Sequence, residues 1–146
     1  MQAEAATLVL DTNWVLDAFL FDDPATHALQ QALAAQRLRW CATWAMRQEL
    51  LRVLDYPKLR PVMQQRGRDA AHVLTQFDAQ AVLVDTPARA PLRCGDPDDQ
   101  KFIDLAVARR ALLLSRDRAV LRMHRRLQGL GARAHNRYPV DAAVPV

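Results

Sequence analysis

Short apolar runs recur along the chain between longer stretches of helical character, and this alternation constrains the fold more than any other feature. Leu8-Val9-Leu10, Leu38 to Ala42, Ala81 to Val84, Ala111 to Ser115 and Ala132 to His135 read as strands. Apolar residues that run on without alternating mark strands buried on both faces. Helices are expected over 14–21, 24–36 and 44–54, the last capped by Thr43 and bounded by Pro57. A longer one is expected over 61–77, then helices over 98–110 and 118–127, with Thr86 to Pro97 as a proline-rich loop. Strands that alternate with helices predict an α/β fold with a parallel sheet covered on both faces. In such sheets ligands bind beyond the carboxyl ends of the strands.

The chain has 146 residues, 51% hydrophobic and 25% charged, which suits one core and excludes a two-domain enzyme, a disordered tail or a disulfide-stapled miniprotein. No apolar run approaches the roughly 20 residues of a membrane span. No basic cluster precedes a long apolar stretch at the N-terminus, so neither a membrane nor a secretory route is expected. Cys41 and Cys94 are too far apart to suggest a metal motif or a disulfide framework, and a reducing cytoplasm is the expected location. Net charge is +4, carried almost wholly by arginine, with Lys58 and Lys101 the only lysines. Such a balance suits a polyanionic partner, although arginine-rich base composition yields it as well.

The acidic residues sharpen this reading. Asp11 follows the first apolar run directly, and Asp117 lies just past Leu114-Ser115, so both belong to one rim of the sheet. On a helical wheel Glu49 borders the buried stripe Met46, Leu50, Val53 and Leu54. Asp99 falls on the face that carries Phe102, Ile103, Leu105 and Ala106, whereas Asp104 falls opposite and reads as solvated. Carboxylates gathered on one apolar rim repel one another unless a cation lies among them, and hard Mg²⁺ or Mn²⁺ suits such oxygens. Taken singly, each acid reads equally well as a helix cap or a surface charge.

Leu8-Val9-Leu10-Asp11-Thr12-Asn13, Glu49-Leu50, Asp96-Pro97-Asp98-Asp99 and Ser115-Arg116-Asp117 together resemble the motifs of PIN domains, in order and register, across residues 7 to about 127. The resemblance is to the bacterial branch that acts as toxins of type II toxin–antitoxin pairs. It implies a three-layer α/β/α sandwich around a central parallel sheet of four to five strands, with residues 1–138 as one nuclease domain and 139–146 as a C-terminal tail. It implies an endoribonuclease that uses Mg²⁺ or Mn²⁺ to cleave RNA, leaving a 5′-phosphate and a 3′-hydroxyl. Position by position, Asp11, Glu49, Asp99 and Asp117 match the acidic quartet, and Asn13 and Ser115 the supporting polar positions. Asp96 and Asp98 compete for the third place; Asp99 leads its helix and keeps the family's step to Asp117. Trp14 is bulkier than the family residue and reads as core packing.

Asp11 and Asp99 are the expected direct ligands, with Glu49 and Asp117 holding metal-bound waters or a second ion. Asn13 and Ser115 would orient Asp11. Arg47, Arg52, Arg93, Arg116 and Arg118 surround these acids in sequence, and Arg122, Arg125 and Arg126 extend a basic helix, so they are the candidates for RNA phosphates. Each also reads as part of a solvated face. Trp44 could stack on an unpaired base, although an aromatic at a helix start more often packs in a core. An antitoxin partner and a homodimer are implied by the family. Two competing readings stand beside this one: a non-catalytic PIN-like module that binds RNA or protein, and a Mg²⁺-dependent phosphatase of the haloacid-dehalogenase type, which wants an acid where Asn13 stands.

Overall fold

The computed structural model describes residues 5–140; of the expected tail, 141–146 lie outside the described residues. Five parallel strands form one sheet: β1 (Ala6–Leu10), β2 (Leu38–Ala42), β3 (Ala81–Leu83), β4 (Leu112–Leu114) and β5 (Arg133–His135), in the order β3-β2-β1-β4-β5. Leu8, Val9 and Leu10 of β1 and all of β4 are buried, as strands at the centre of a two-sided sheet must be.

The chain leaves β1 toward one edge and later returns to the other side of it. With right-handed crossovers, this reversal puts the first helices on one face and the last on the opposite face. On the first face α1 (Thr12–Phe19), α3 (Trp44–Leu54) and α5 (Ala70–Gln80) pack on one another, with α2 (His27–Ala34) against β2 and α4 (Arg60–Arg66) leading into α5. On the other, α6 (Gln100–Arg109) covers β1 and β4, while α7 (Arg118–Leu121) and α8 (His124–Gln128) cover β5. Trp40 of β2 anchors the first layer: it stacks on Phe19 at 6.0 Å between ring centroids and meets the edge of Phe77 at 5.0 Å. No helix among the described residues is long and apolar enough to cross a membrane.

The expected spans of β2 and α3 are those observed, and most other boundaries differ by one or two residues at frayed ends. Three expectations need further correction. The single helix over 61–77 is two, because Gly67 adopts the left-handed conformation at φ 64° and the Arg68 N–H closes back on the Met63 carbonyl at 3.1 Å. Asp69 then caps α5 by accepting the His72 N–H. The basic helix over 118–127 is likewise two, joined by a tight turn in which the Met123 N–H bonds the Val120 carbonyl; Val120, Met123 and Leu127 all reach the core that way. The first helix starts at Thr12 rather than Trp14, since the Asp11 carboxylate caps it.

Asp104 is not a solvated charge. Its Oδ1 accepts the Ala90 N–H at 2.9 Å and the Gln100 Nε2 at 2.8 Å, and Gln100 in turn grips the Leu92 carbonyl and the Cys94 N–H. This clamp fixes the loop that ends at Asp96, so the opposite face of α6 has a structural task. Asp104→Ala is expected to cost about 1–2 kcal/mol by leaving the buried Ala90 N–H without its acceptor. Denaturant titration reads the loss, with faster amide exchange at Ala90 and Cys94 than in α3.

Candidate metal centre

The strand order reverses between β1 and β4, where the crossovers diverge and leave a crevice beyond the carboxyl ends of the strands. Leu10 and Leu114 are register partners, so the residues after them stand side by side. Asp11 is 4% exposed and Ser115 is fully buried. The Ser115 hydroxyl donates to Asp11 Oδ2 at 2.6 Å, the Trp14 N–H donates to Oδ1 at 3.0 Å, and the Arg116 backbone donates to the same carboxyl. Burial pushes the Asp11 carboxyl above its ordinary range, and these donors oppose that push.

Ser115 also accepts the Asp117 N–H at 3.1 Å, so one hydroxyl ties two acidic positions together. Asp117 caps α7 by accepting the Ala119 N–H at 2.8 Å. Asp96 caps a 3₁₀ turn over Pro97–Asp99, and that turn delivers Asp99 to the same crevice. One carboxylate oxygen from each of Asp96, Asp99 and Asp117 lies within 4.8 Å of the other two. Asp99 Oδ2 is buried with no hydrogen-bond partner among the described residues. Burial, a hydrogen bond shared with Asp117 and the charges of Asp117, Asp96 and Asp11 push Asp99 up to about 8. That hydrogen bond holds Asp117 below the usual carboxylate range, so the two carboxyls share one proton.

Glu49 reaches the cluster from α3. Thr12 Oγ1 donates to its Oε2, and Lys101 Nζ donates to its Oε1 at 2.7 Å while also reaching the Asp98 carbonyl. Asp11, Glu49, Asp99 and Asp117 line a single cleft of about 400 Å³. Its other wall is apolar, from Leu16, Phe21, Val53, Leu59 and Phe102, with Tyr56 and Lys58 at the same cleft. A divalent cation fits the acidic side: the donors are hard oxygens, the excess charge is negative, and one buried Asp99 oxygen has no protein partner among the described residues.

The quartet is therefore brought together, with Asp96 joining it and Asp98 left exposed outside the close group. Asn13 departs from its expected role: it lines the cleft but is exposed, and its side chain makes no hydrogen bond to Asp11 among the described residues. The arginines depart further, since none of those expected lines the cleft. Arg47 forms a fork on Asp78, at 2.8 Å from both nitrogens, and lies over the Trp44 ring. Arg116 pairs with Asp17 at 2.9 Å and Asp23 at 3.6 Å and stacks on the buried Trp14. Arg52, Arg93, Arg118, Arg122, Arg125 and Arg126 are exposed and do not line the cleft. Trp44 is 56% exposed, not core, and does not line the cleft; Trp14 is core. Two lysines stand here instead: Lys58 lines the cleft and Lys101 pairs with Glu49.

The sequence profile of the PIN domain matches residues 7–119, a span that contains every acid of the cleft. The chain belongs to the PIN domain family. PIN domains are generally metal-dependent nucleases, and membership sets aside the phosphatase reading. Among solved structures, VapBC2 from Rickettsia felis, determined with a DNA fragment from its promoter, is similar to this PIN domain. The match has a TM-score of 0.58 at 16% identity and covers 88% of this chain and 97% of the other, so it speaks for the fold. No curated protein sequence matches the chain.

Proposed function

We propose that this PIN domain is a Mg²⁺- or Mn²⁺-dependent endoribonuclease, the toxin of a toxin–antitoxin pair acting on RNA in the cytoplasm. The observation that carries the reading is the convergence of Asp11, Glu49, Asp99 and Asp117 on one cleft, with a buried Asp99 oxygen left without a partner. When bound, the divalent cation supplies a Lewis acid for the phosphodiester and lowers the pKa of a water. Asp99, Asp117 and Asp96 would hold it, and Asp11, which lines the same cleft, would complete the set. Ser115 and the Trp14 N–H fix the Asp11 carboxylate, so its orientation is set before a ligand arrives. A bound cation would favour the ionised form of Asp99. The apolar wall with Tyr56 suits a base flanking the scissile bond, and Lys58 suits a phosphate. The resemblance to bacterial toxins and the fold shared with VapBC2 support an antitoxin as the protein partner.

The test is cleavage of single-stranded RNA with Mn²⁺ and with EDTA, beside direct Mn²⁺ titration at several pH values. Cleavage should stop in EDTA and in Asp11→Asn. Because Asp99 holds its proton up to pH of about 8, cation binding below that pH expels it. Apparent Mn²⁺ affinity should therefore rise about tenfold per pH unit from roughly pH 6 to 8 and then level off. Cleavage that survives EDTA, or an affinity flat across this window, contradicts the reading. Mn²⁺ binding without cleavage of any RNA would favour a binding module.

A further inference from the structure

The cleft holds carboxylates enough for two divalent ions, yet its two sides are not equivalent. On the side of Asp96, Asp99 and Asp117 no lysine or arginine forms an ion pair with the acids among the described residues, and an Asp99 oxygen is unpartnered. Around Glu49 both carboxylate oxygens are taken, Oε2 by the Thr12 hydroxyl and Oε1 by the Lys101 ammonium at 2.7 Å. Lys101 is held at a second point by the Asp98 carbonyl, and its ammonium sits 5.0 Å from the Phe102 ring centroid. The pair is only partly exposed, at 26% and 18%, so water screens it less than a surface ion pair. A lysine suits this place better than an arginine, because a compact ammonium can point one donor at Glu49 and another at a carbonyl.

The geometry points to Lys101 as a resident cation that takes the place of a second metal ion beside Glu49, so that the centre accepts one divalent ion, on the Asp99 side. This rests on the proposed metal centre and adds to it a stoichiometry and a positioning residue. Lys101 neutralises Glu49 and holds its carboxylate against Thr12, while the metal neutralises the aspartates. Removing the ammonium frees Glu49 Oε1 and deletes the positive charge that keeps a second divalent ion away.

Mn²⁺ titration of the full chain followed by electron paramagnetic resonance tests this without any RNA. Wild type should bind one ion per chain. Lys101→Met should bind two, the second within about tenfold of the first in affinity, with signal loss from coupling between neighbouring ions. Lys101→Arg should stay at one, and Lys101→Met combined with Glu49→Gln should return to one. Two ions in wild type, or one ion in a folded Lys101→Met, overturns the assignment and leaves the metal centre standing. No bound ion in wild type overturns both.

Discussion

Asp99→Asn is expected to lower RNA cleavage by about a thousandfold or more, while the protein still folds and melts at a higher temperature than wild type above pH 8. The carboxyl is buried beside Asp117, Asp96 and Asp11, and its pKa rises from 3.8 to about 8. Across that window the folded chain keeps a proton that the unfolded chain releases. Its contribution to stability therefore falls as pH rises from roughly 4 to 8, and above 8 the folded protein carries the full repulsion. Asparagine cannot ionise, so the slope disappears along with the ligand. Thermal midpoints in EDTA should decline for wild type between roughly pH 4 and 8, level off above 8, and stay flatter throughout for the variant. Added Mn²⁺ should raise the wild-type midpoint only. Asp98→Asn, at an exposed position outside the close group, should behave as wild type. Retained cleavage in Asp99→Asn, or a wild type whose melting ignores Mn²⁺, would remove Asp99 from the centre.

The acids were legible because their placement depends on local facts. Asp11 and Ser115 follow buried strands, and parallel register alone makes them neighbours. Glu49 and Asp99 could be assigned to faces of helices by counting residues. What counting could not supply was the partner of each charge. Arg47 and Arg116 border the acidic motifs in sequence but are taken by Asp78, Asp17 and Asp23, which lie elsewhere in the chain. Asp104 looked idle because the loop it clamps comes from another segment. Signals for two of the misses were nonetheless present. Arg66-Gly67-Arg68-Asp69 contains both a helix stop and a helix cap, and it divides α4 from α5. Lys58 and Lys101 are the only lysines in an arginine-rich chain, and both sit at the cleft or on its acids. A rare residue type in a strongly biased background marks a place where the common one does not fit.

Ser115→Ala should be the costliest single-atom change at the site, because that hydroxyl serves a nearly buried carboxylate and a backbone N–H at once. It donates to a nearly buried carboxylate and accepts the N–H that starts the Asp117 turn. Alanine leaves Asp11 Oδ2 and the Asp117 N–H without these partners, at a cost of about 2–4 kcal/mol. Losing this donor also raises the Asp11 pKa further, since the Ser115 hydrogen bond is the largest influence holding it down. Affinity for Mn²⁺ should fall about 10- to 100-fold, as when a support of a metal ligand is removed, and cleavage should fall with it. The loss of stability should shrink at acid pH, where Asp11 is protonated and its buried oxygen no longer needs an anion's donors. The double variant Ser115→Ala with Asp11→Asn separates the two debts. If the serine acts through Asp11, the double variant is destabilised by less than the sum of the single ones; strict additivity would mean that the hydroxyl matters only to the Asp117 turn.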